Sequence, residues 1–171
     1  MRPFRFDRTW VFDVAPDTLW ATLTRTEDYR RWWPWLREFS GDGLVPGGRT
    51  TCVVRAPVPY TLRFRVTIAD LVPGESVDAV VEGDLAGPAR LEVRSGGARR
   101  RRSRVRLTWE LDLQRPLLRT AARFGRPVME WGHDWVVRTG FDQFCRSALR
   151  VHVRYDDHDD DRGAGTAGYG T

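Results

Sequence analysis

The sequence predicts an α+β domain: an antiparallel sheet of about seven strands curved around one long C-terminal helix, with two short helices after the first strand. Three observations carry this prediction. From Arg126 to Val151 apolar residues recur at helical spacing over the longest such stretch in the chain. Phe4 to Val14, and then a series of segments between Leu36 and Leu113, alternate apolar and polar residues with a period of two. Each alternating segment has one wet and one buried face, which favours antiparallel pairing.

In order along the chain, Phe4, Phe6, Trp10, Phe12 and Val14 share a face with Arg8, while Arg5, Asp7, Thr9 and Asp13 look outward. Arg8 is the one cation in an aromatic row. Pro16 suits a first helical position, and Leu19, Trp20 and Leu23 line one side of the helix that follows. Ala15 makes a poor cap because it has no side-chain acceptor. A second short helix is expected around Glu27 to Trp32, stopped by Pro34. Strands are then expected at Leu36 to Leu44 and Thr50 to Ala56, separated by a Pro46-Gly47-Gly48 turn.

The cleanest alternation follows, with Tyr60, Leu62, Phe64, Val66 and Ile68 inward and Thr61, Arg63, Arg65 and Thr67 outward. Pro73-Gly74 turns the chain into Val77, Ala79 and Val81, and Ala89, Leu91 and Val93 form the next inward set. After Gly96-Gly97, Val105 to Leu113 makes the last strand. Leu117 to Phe124 is a short helical lead into the long helix. That helix would run about 37 Å. It puts Met129, His133, Val136, Val137, Gly140, Phe141, Phe144, Ala148 and Val151 on one broad face.

A chain of 171 residues suits one domain, here 1–154, followed by a tail, 155–171, that is first acidic and then glycine-rich and disordered by composition. No window reaches the apolar length of a membrane span, and the N-terminus lacks a signal-peptide core. Cys52 and Cys145 stand far apart without metal-ligand spacing, so reduced thiols and a cytoplasmic location are expected. All 28 basic residues are Arg, and Asn is absent too, a bias pointing to a GC-rich genome such as an actinobacterial one. Lacking Lys, the chain has no Schiff-base chemistry and no phosphate loop ending in Gly-Lys-Ser/Thr. It also has no Gly-x-Ser-x-Gly elbow and no His-Glu-x-x-His zinc helix.

Arg99 to Arg102 are consecutive beside Arg104 and Arg106, which invites an anion-binding function on the outer sheet face. The run sits at a turn without an aromatic platform, so a solvated turn is favoured and no specific nucleic acid is expected. Asp156 to Asp161, with His158 among them, offers no loop geometry for a specific metal site. Neither a metal nor a cofactor is expected. Trp131 and Trp135 fall away from the inner helix face. Cover by the lead-in segment would leave a monomer, whereas an exposed pair would suit a weak homodimer. Trp32, Trp33 and Trp35 leave two options open, the edge of a cavity or core packing.

The order strand, two short helices, six strands and long helix accompanies Val14-Ala15-Pro16, Leu19-Trp20, Tyr29 through Trp33-Pro34, and Gly132-His133-Asp134-Trp135. Together these features resemble the START-like (SRPBCC) superfamily, the helix-grip fold of birch-pollen-allergen-like proteins. More narrowly they resemble the bacterial polyketide cyclase/dehydrase and lipid-transport family. The resemblance covers Arg5 to Leu149. It implies a cavity between sheet and helix that takes a small hydrophobic or aromatic molecule, polyketide- or lipid-like. The superfamily mixes enzymes with carriers, so fold transfers and function does not.

Candidate lining residues are Arg8, Trp10, Tyr60, Phe64, Trp109, Val137, Phe141 and Phe144. Small Ala79, Gly83, Ala89, Gly140 and Ala148 also point inward, and whether large side chains interlock with small ones or leave a hollow is open. A cyclase would need a base, for which His133 and Glu130 are candidates, and an enolate-stabilising donor such as Arg8 or Tyr60. The bland alternatives are a backbone hydrogen bond for His133, a favourable helix-end charge for Glu130, and a buried ion pair for Arg8. A non-catalytic carrier or sensor is the first expectation, a cyclase or dehydratase the second, and an anion-binding module the third.

Overall fold

The computed structural model describes residues 4–55, 61–96, 101–114, 132 and 135–149. Its strands are β1 (Phe4–Phe12), β2 (Leu36–Gly41), β3 (Arg49–Val54), β4 (Leu62–Val72), β5 (Ser76–Gly83), β6 (Leu85–Ser95) and β7 (Ser103–Leu113). Between β1 and β2 lie α1 (Pro16–Leu23), a 3-10 turn (Thr26–Asp28) and α2 (Tyr29–Trp32). The C-terminal helix, α3, spans residues 135–144 and winds into a π-helical turn at Cys145–Leu149.

All seven strands form one sheet in the order β1-β7-β6-β5-β4-β3-β2, and every neighbouring pair is antiparallel. The chain enters at one edge and must reach the other before β2, so α1 and α2 cross on the side where α3 lies. This is the curved-sheet, helix-grip α+β architecture.

Register determines which side chains share the inner face. Phe6 stands opposite Trp109, Trp10 opposite Val105, and Ala89 opposite Trp109. Across the other half, Val66 pairs with Val81 and Phe64 with Cys52. Bulges at Leu36/Glu38 and Ile68/Asp70 add a residue to β2 and β4 and increase local bending. The β6–β7 ladder also lapses at Gly87 and Pro88. Pro88 has no N–H to donate. Gly87 sits at φ 147, and any Cβ there would lie 2.0 Å from the Glu110 carbonyl oxygen. Only glycine admits that approach.

Several boundaries differ from the sequence expectation. β1 ends at Phe12 rather than Val14, because the chain bends at Asp13 and the buried Ser103 hydroxyl donates to the Val14 carbonyl at 2.7 Å. β2 stops at Gly41, short of Leu44. β6 begins at Leu85 and absorbs Gly87-Pro88 as a local lapse instead of starting at Ala89. α1 begins as expected, with Pro16 in its first turn and no side-chain bond from Ala15.

Apolar burial falls into three clusters. The largest joins Phe12, Leu19, Trp32, Val93, Val105, Phe141, Phe144 and Cys145, where the end of α3 meets α1 and the β1/β6/β7 end of the sheet. A second surrounds Leu36, Cys52 and Val54, and a third gathers Phe4, Leu62 and Leu85 on Leu113. Outside these clusters Ala79, Ala89, Leu107 and Trp109 are only half-buried.

Candidate functional site

The inner face is built around a line of aromatic rings. Trp109 of β7 stacks on Phe6 of β1 with centroids 4.2 Å apart and 16° between planes. Phe6 leans toward Trp10 at 6.1 Å, and Trp10 stacks on Phe141 of α3 at 5.4 Å. Phe12 then touches both Phe141 and Phe144, and Phe144 stacks on Trp33, which in turn stacks on Trp35. Alternation along β1 puts Phe6, Trp10 and Phe12 on one side, and the register brings Trp109 to Phe6. Offset stacking of this kind suits the ring quadrupoles.

Trp10, Phe141 and Phe144 are therefore brought together, and Trp109 joins them through Phe6. Val137 is half-buried on α3. Phe64 packs elsewhere, against the Leu36–Cys52–Val54 cluster. His133, Glu130 and Tyr60 lie outside the described residues, as do Trp131, Arg99, Arg100, the lead-in from Leu117 to Phe124, the first turns expected for the long helix and the tail.

Arg8 corrects one expectation. It stands on the inner side of β1 by position, opposite Leu107, and is exposed rather than buried. Desolvating a guanidinium in an aromatic row would cost several kcal/mol, on the order of the penalty for any buried ion. Two of the small inward residues, for which a hollow or an interlock was left open, are taken up by close contacts. Any Cβ on Gly83 would come within 2.7 Å of the Arg63 carbonyl oxygen, so this glycine serves a close backbone approach. The space beside Gly140 is occupied by Trp35 and Trp33.

The three tryptophans after α2 divide their roles, a division the sequence left open. Trp32 is core, 1% exposed, with the Arg25 guanidinium 5.6 Å from its ring centroid. Its indole N–H is buried and, among the described residues, has no hydrogen-bond partner. Trp33 and Trp35 clamp α3. The Trp33 Nε1 donates to the Gly140 carbonyl at 2.7 Å, and the Trp35 Nε1 donates to Gln143 Oε1 at 3.0 Å. Tyr29 supports them from below, its hydroxyl donating to the Leu23 carbonyl at 2.6 Å, and burial pushes its phenol well above the usual range.

Phe6 as a stacking partner, and the two indole donors, are the residues that sequence reasoning missed. Alternation had already turned Phe6 inward; the missing piece was the register that seats it on Trp109. Nothing local signals the Trp33 and Trp35 bonds, which span more than a hundred residues.

Reactive groups are sparse on the described part of this face. Burial pushes both thiols, Cys52 and Cys145, up to about 12, so neither is a ready nucleophile. Among the described residues no cluster of three or more His, Cys, Asp or Glu could hold a metal. Nor, among them, is any helix long and apolar enough to cross a membrane.

The outer face is a lattice of exposed pairs. Arg106 holds Asp7 through Nε at 2.8 Å and Nη2 at 2.5 Å, Arg5 reaches Glu110 at 3.1 Å, and Arg90 pairs with Asp78. The hydrogen bond from Arg106 holds the Asp7 carboxyl below its ordinary value, and that from Arg94 does the same for Glu92. A shallow depression lined by Asp7, Asp78, Val80, Pro88 and Arg90 lies among these pairs and reaches Phe6 and Trp109, the first two rings of the aromatic line. Alternating charge of this kind fits a solvated face better than an anion-binding track.

Solved structures with the same fold are found at low identity. The TTHA0849 protein from Thermus thermophilus superposes with a TM-score of 0.70 at 12% identity, covering 86% of this chain and 98% of its own. The Zhui aromatase/cyclase from Streptomyces sp. R1128 gives 0.68 at 12% identity, covering 86% and 94%. Norcoclaurine synthase from Thalictrum flavum, solved in complex with dopamine and hydroxybenzaldehyde, gives 0.60 at 10% identity, covering 88% and 89%. A comparison with curated protein sequences finds no match. The family model described as polyketide cyclase / dehydrase and lipid transport matches residues 3–148, and the chain belongs to that family.

Proposed function

We propose that the chain binds a small hydrophobic or aromatic molecule, polyketide- or lipid-like, between the sheet and α3, as a carrier or sensor. One observation carries this reading. The fully buried apolar side chains fall into three clusters joined through partly buried Tyr29, Trp33 and Leu62, and the inner-face residues Trp109 and Leu107 belong to none of them and remain half-buried. A closed core would be packed to crystal density. An apolar face left partly open, edged by stacked aromatic rings, is what a planar apolar ligand would complete. Trp10, Trp109, Phe141 and Phe144 would supply contact area, with Phe64 and Val137 at the margins and Arg8 and Tyr60 as polar orienting groups.

The family description supports a second reading, a cyclase or dehydratase in which His133 and Glu130 perform acid–base chemistry. An enolate-forming step would need one of them to take a proton alpha to a carbonyl while a donor steadies the oxyanion.

The test is native mass spectrometry after incubation with a panel of aromatic polyketides and fatty acids, followed by tryptophan fluorescence titration of each hit. Stoichiometric binding that weakens at least tenfold in Trp109→Ala supports the carrier reading. A panel-wide failure to bind, with the fold intact by circular dichroism, removes it. Turnover of a bound polyketide that survives His133→Ala and Glu130→Ala removes the acid–base assignment.

A further inference from the structure

We propose that the arginine-lined end of the β6–β7 hairpin is a docking surface for the chain's own acidic segment, Asp156 to Asp161. Charge is the first ground. Arg94 and Arg104 stand directly opposite each other across β6 and β7, a like-charge cross-strand pair that destabilises a sheet unless an anion sits beside it. Arg94 bonds back to Glu92 at 3.0 Å and Arg102 to Asp13 at 2.7 Å. Among the described residues, Arg101 and Arg104 have no carboxylate within 4.0 Å, and all four arginines are exposed. At the hairpin end Arg101 and Arg104 thus present positive charge that their described neighbours do not neutralise.

Position is the second ground. Ala148 and Leu149, at the end of α3, pack on the cluster that contains Phe12, Val93 and Val105. Val93 and Val105 are cross-strand partners two residues from the Ser95–Ser103 pair, at the same end of the sheet as the arginines. Six residues separate Leu149 from Asp156, a span of up to about 20 Å. Five of the next six residues are Asp. A tether this short gives an effective concentration on the order of millimolar, enough to populate a contact made of several weak, screened ion pairs. A second copy of the chain or a polyphosphate would need to outcompete that local concentration.

The experiment uses the full chain with a nitroxide on Gly168→Cys, since Cys52 and Cys145 are buried. Amide broadening is read by NMR at about 20 mM and about 500 mM salt, a range over which screening rises severalfold. Docking is expected to broaden Ser95 and Arg101 to Arg104 at low salt and to release them at high salt. Two variants should abolish the effect: the doubly reversed Arg101→Glu/Arg104→Glu, and the chain with Asp156, Asp157, Asp159, Asp160 and Asp161 each changed to Asn. The latter should also bind a short polyphosphate severalfold more tightly than the parent chain at low salt. Broadening that is absent, that survives high salt, or that appears only between molecules in a mixture of isotope-labelled and spin-labelled chains overturns the proposal. Equal polyphosphate affinity of parent and Asn variant overturns it as well.

Discussion

Gly140→Val introduces a branched side chain where two indole rings already touch the helix. Any Cβ at this position would meet Trp35 Cζ2 at 3.1 Å and Trp33 Nε1 at 3.7 Å. Alanine is nearly neutral there: relief of the glycine entropy cost, about 0.5–1 kcal/mol, offsets the small retreat that Trp35 must make. Valine adds two γ carbons to a packed contact, an overpacking cost of about 1–3 kcal/mol. It also displaces the Trp33 Nε1 donor from the Gly140 carbonyl, 2.7 Å away, a loss of about 1 kcal/mol. The total is roughly 2–4 kcal/mol, which for a chain of this size lowers Tm by roughly 5–15 °C. Urea unfolding followed by tryptophan fluorescence, checked by calorimetry, measures it. Adding Trp35→Leu to Gly140→Val should recover about half the loss by making room. A valine variant as stable as the alanine one would refute the clamp, as would a Trp35→Leu background that leaves the valine penalty unchanged.

Other expectations follow from the same contacts. Asp84 is 7% exposed and its Oδ2 accepts the Arg63 amide at 2.8 Å, so Asp84→Ala strands a buried donor and should cost about 1–3 kcal/mol in urea unfolding. Asp7→Ala should cost under about 1 kcal/mol, and less in 1 M salt, because the Arg106–Asp7 pair is half exposed on both sides. Its carboxyl is held low in the folded state, so what stability the pair contributes is present above the ordinary carboxylate range and is lost as pH falls through it. The buried thiols carry the opposite sign at high pH. The unfolded chain loses those protons near 9 while the folded chain keeps them up to about 12, so stability should fall across that interval, by at most about 1.4 kcal/mol per pH unit per thiol. At pH 8 iodoacetamide should label Cys52 and Cys145 only after denaturation, and labelling of the native chain within minutes would contradict their burial.

The strands, the two short helices and the C-terminal helix were legible because their signals are local. Period-two alternation at Leu62 to Ile68, or Pro16 opening a helix, is written in neighbouring residues and needs no knowledge of the rest. The order of those elements, with Val14-Ala15-Pro16, Tyr29 to Pro34 and Gly132 to Trp135, carried the family resemblance, and the family match agrees with it. Other features depend on residues far apart in the chain. Alternation turned Phe6 and Trp109 inward without saying that they would stack, because register is chosen by the whole β1–β7 ladder. Nor could it assign Trp32 to the core and Trp33 and Trp35 to α3, since that choice depends on where a helix more than a hundred residues away comes to rest. Arg8 shows the same limit: its place in an apolar row was correct, but the energetic cost of burying its charge kept it in solvent. Local periodicity thus determined what each segment is. Only the packed chain, where long-range contacts compete for the same space, decided which side chains meet and which inner-face residues stay half-buried.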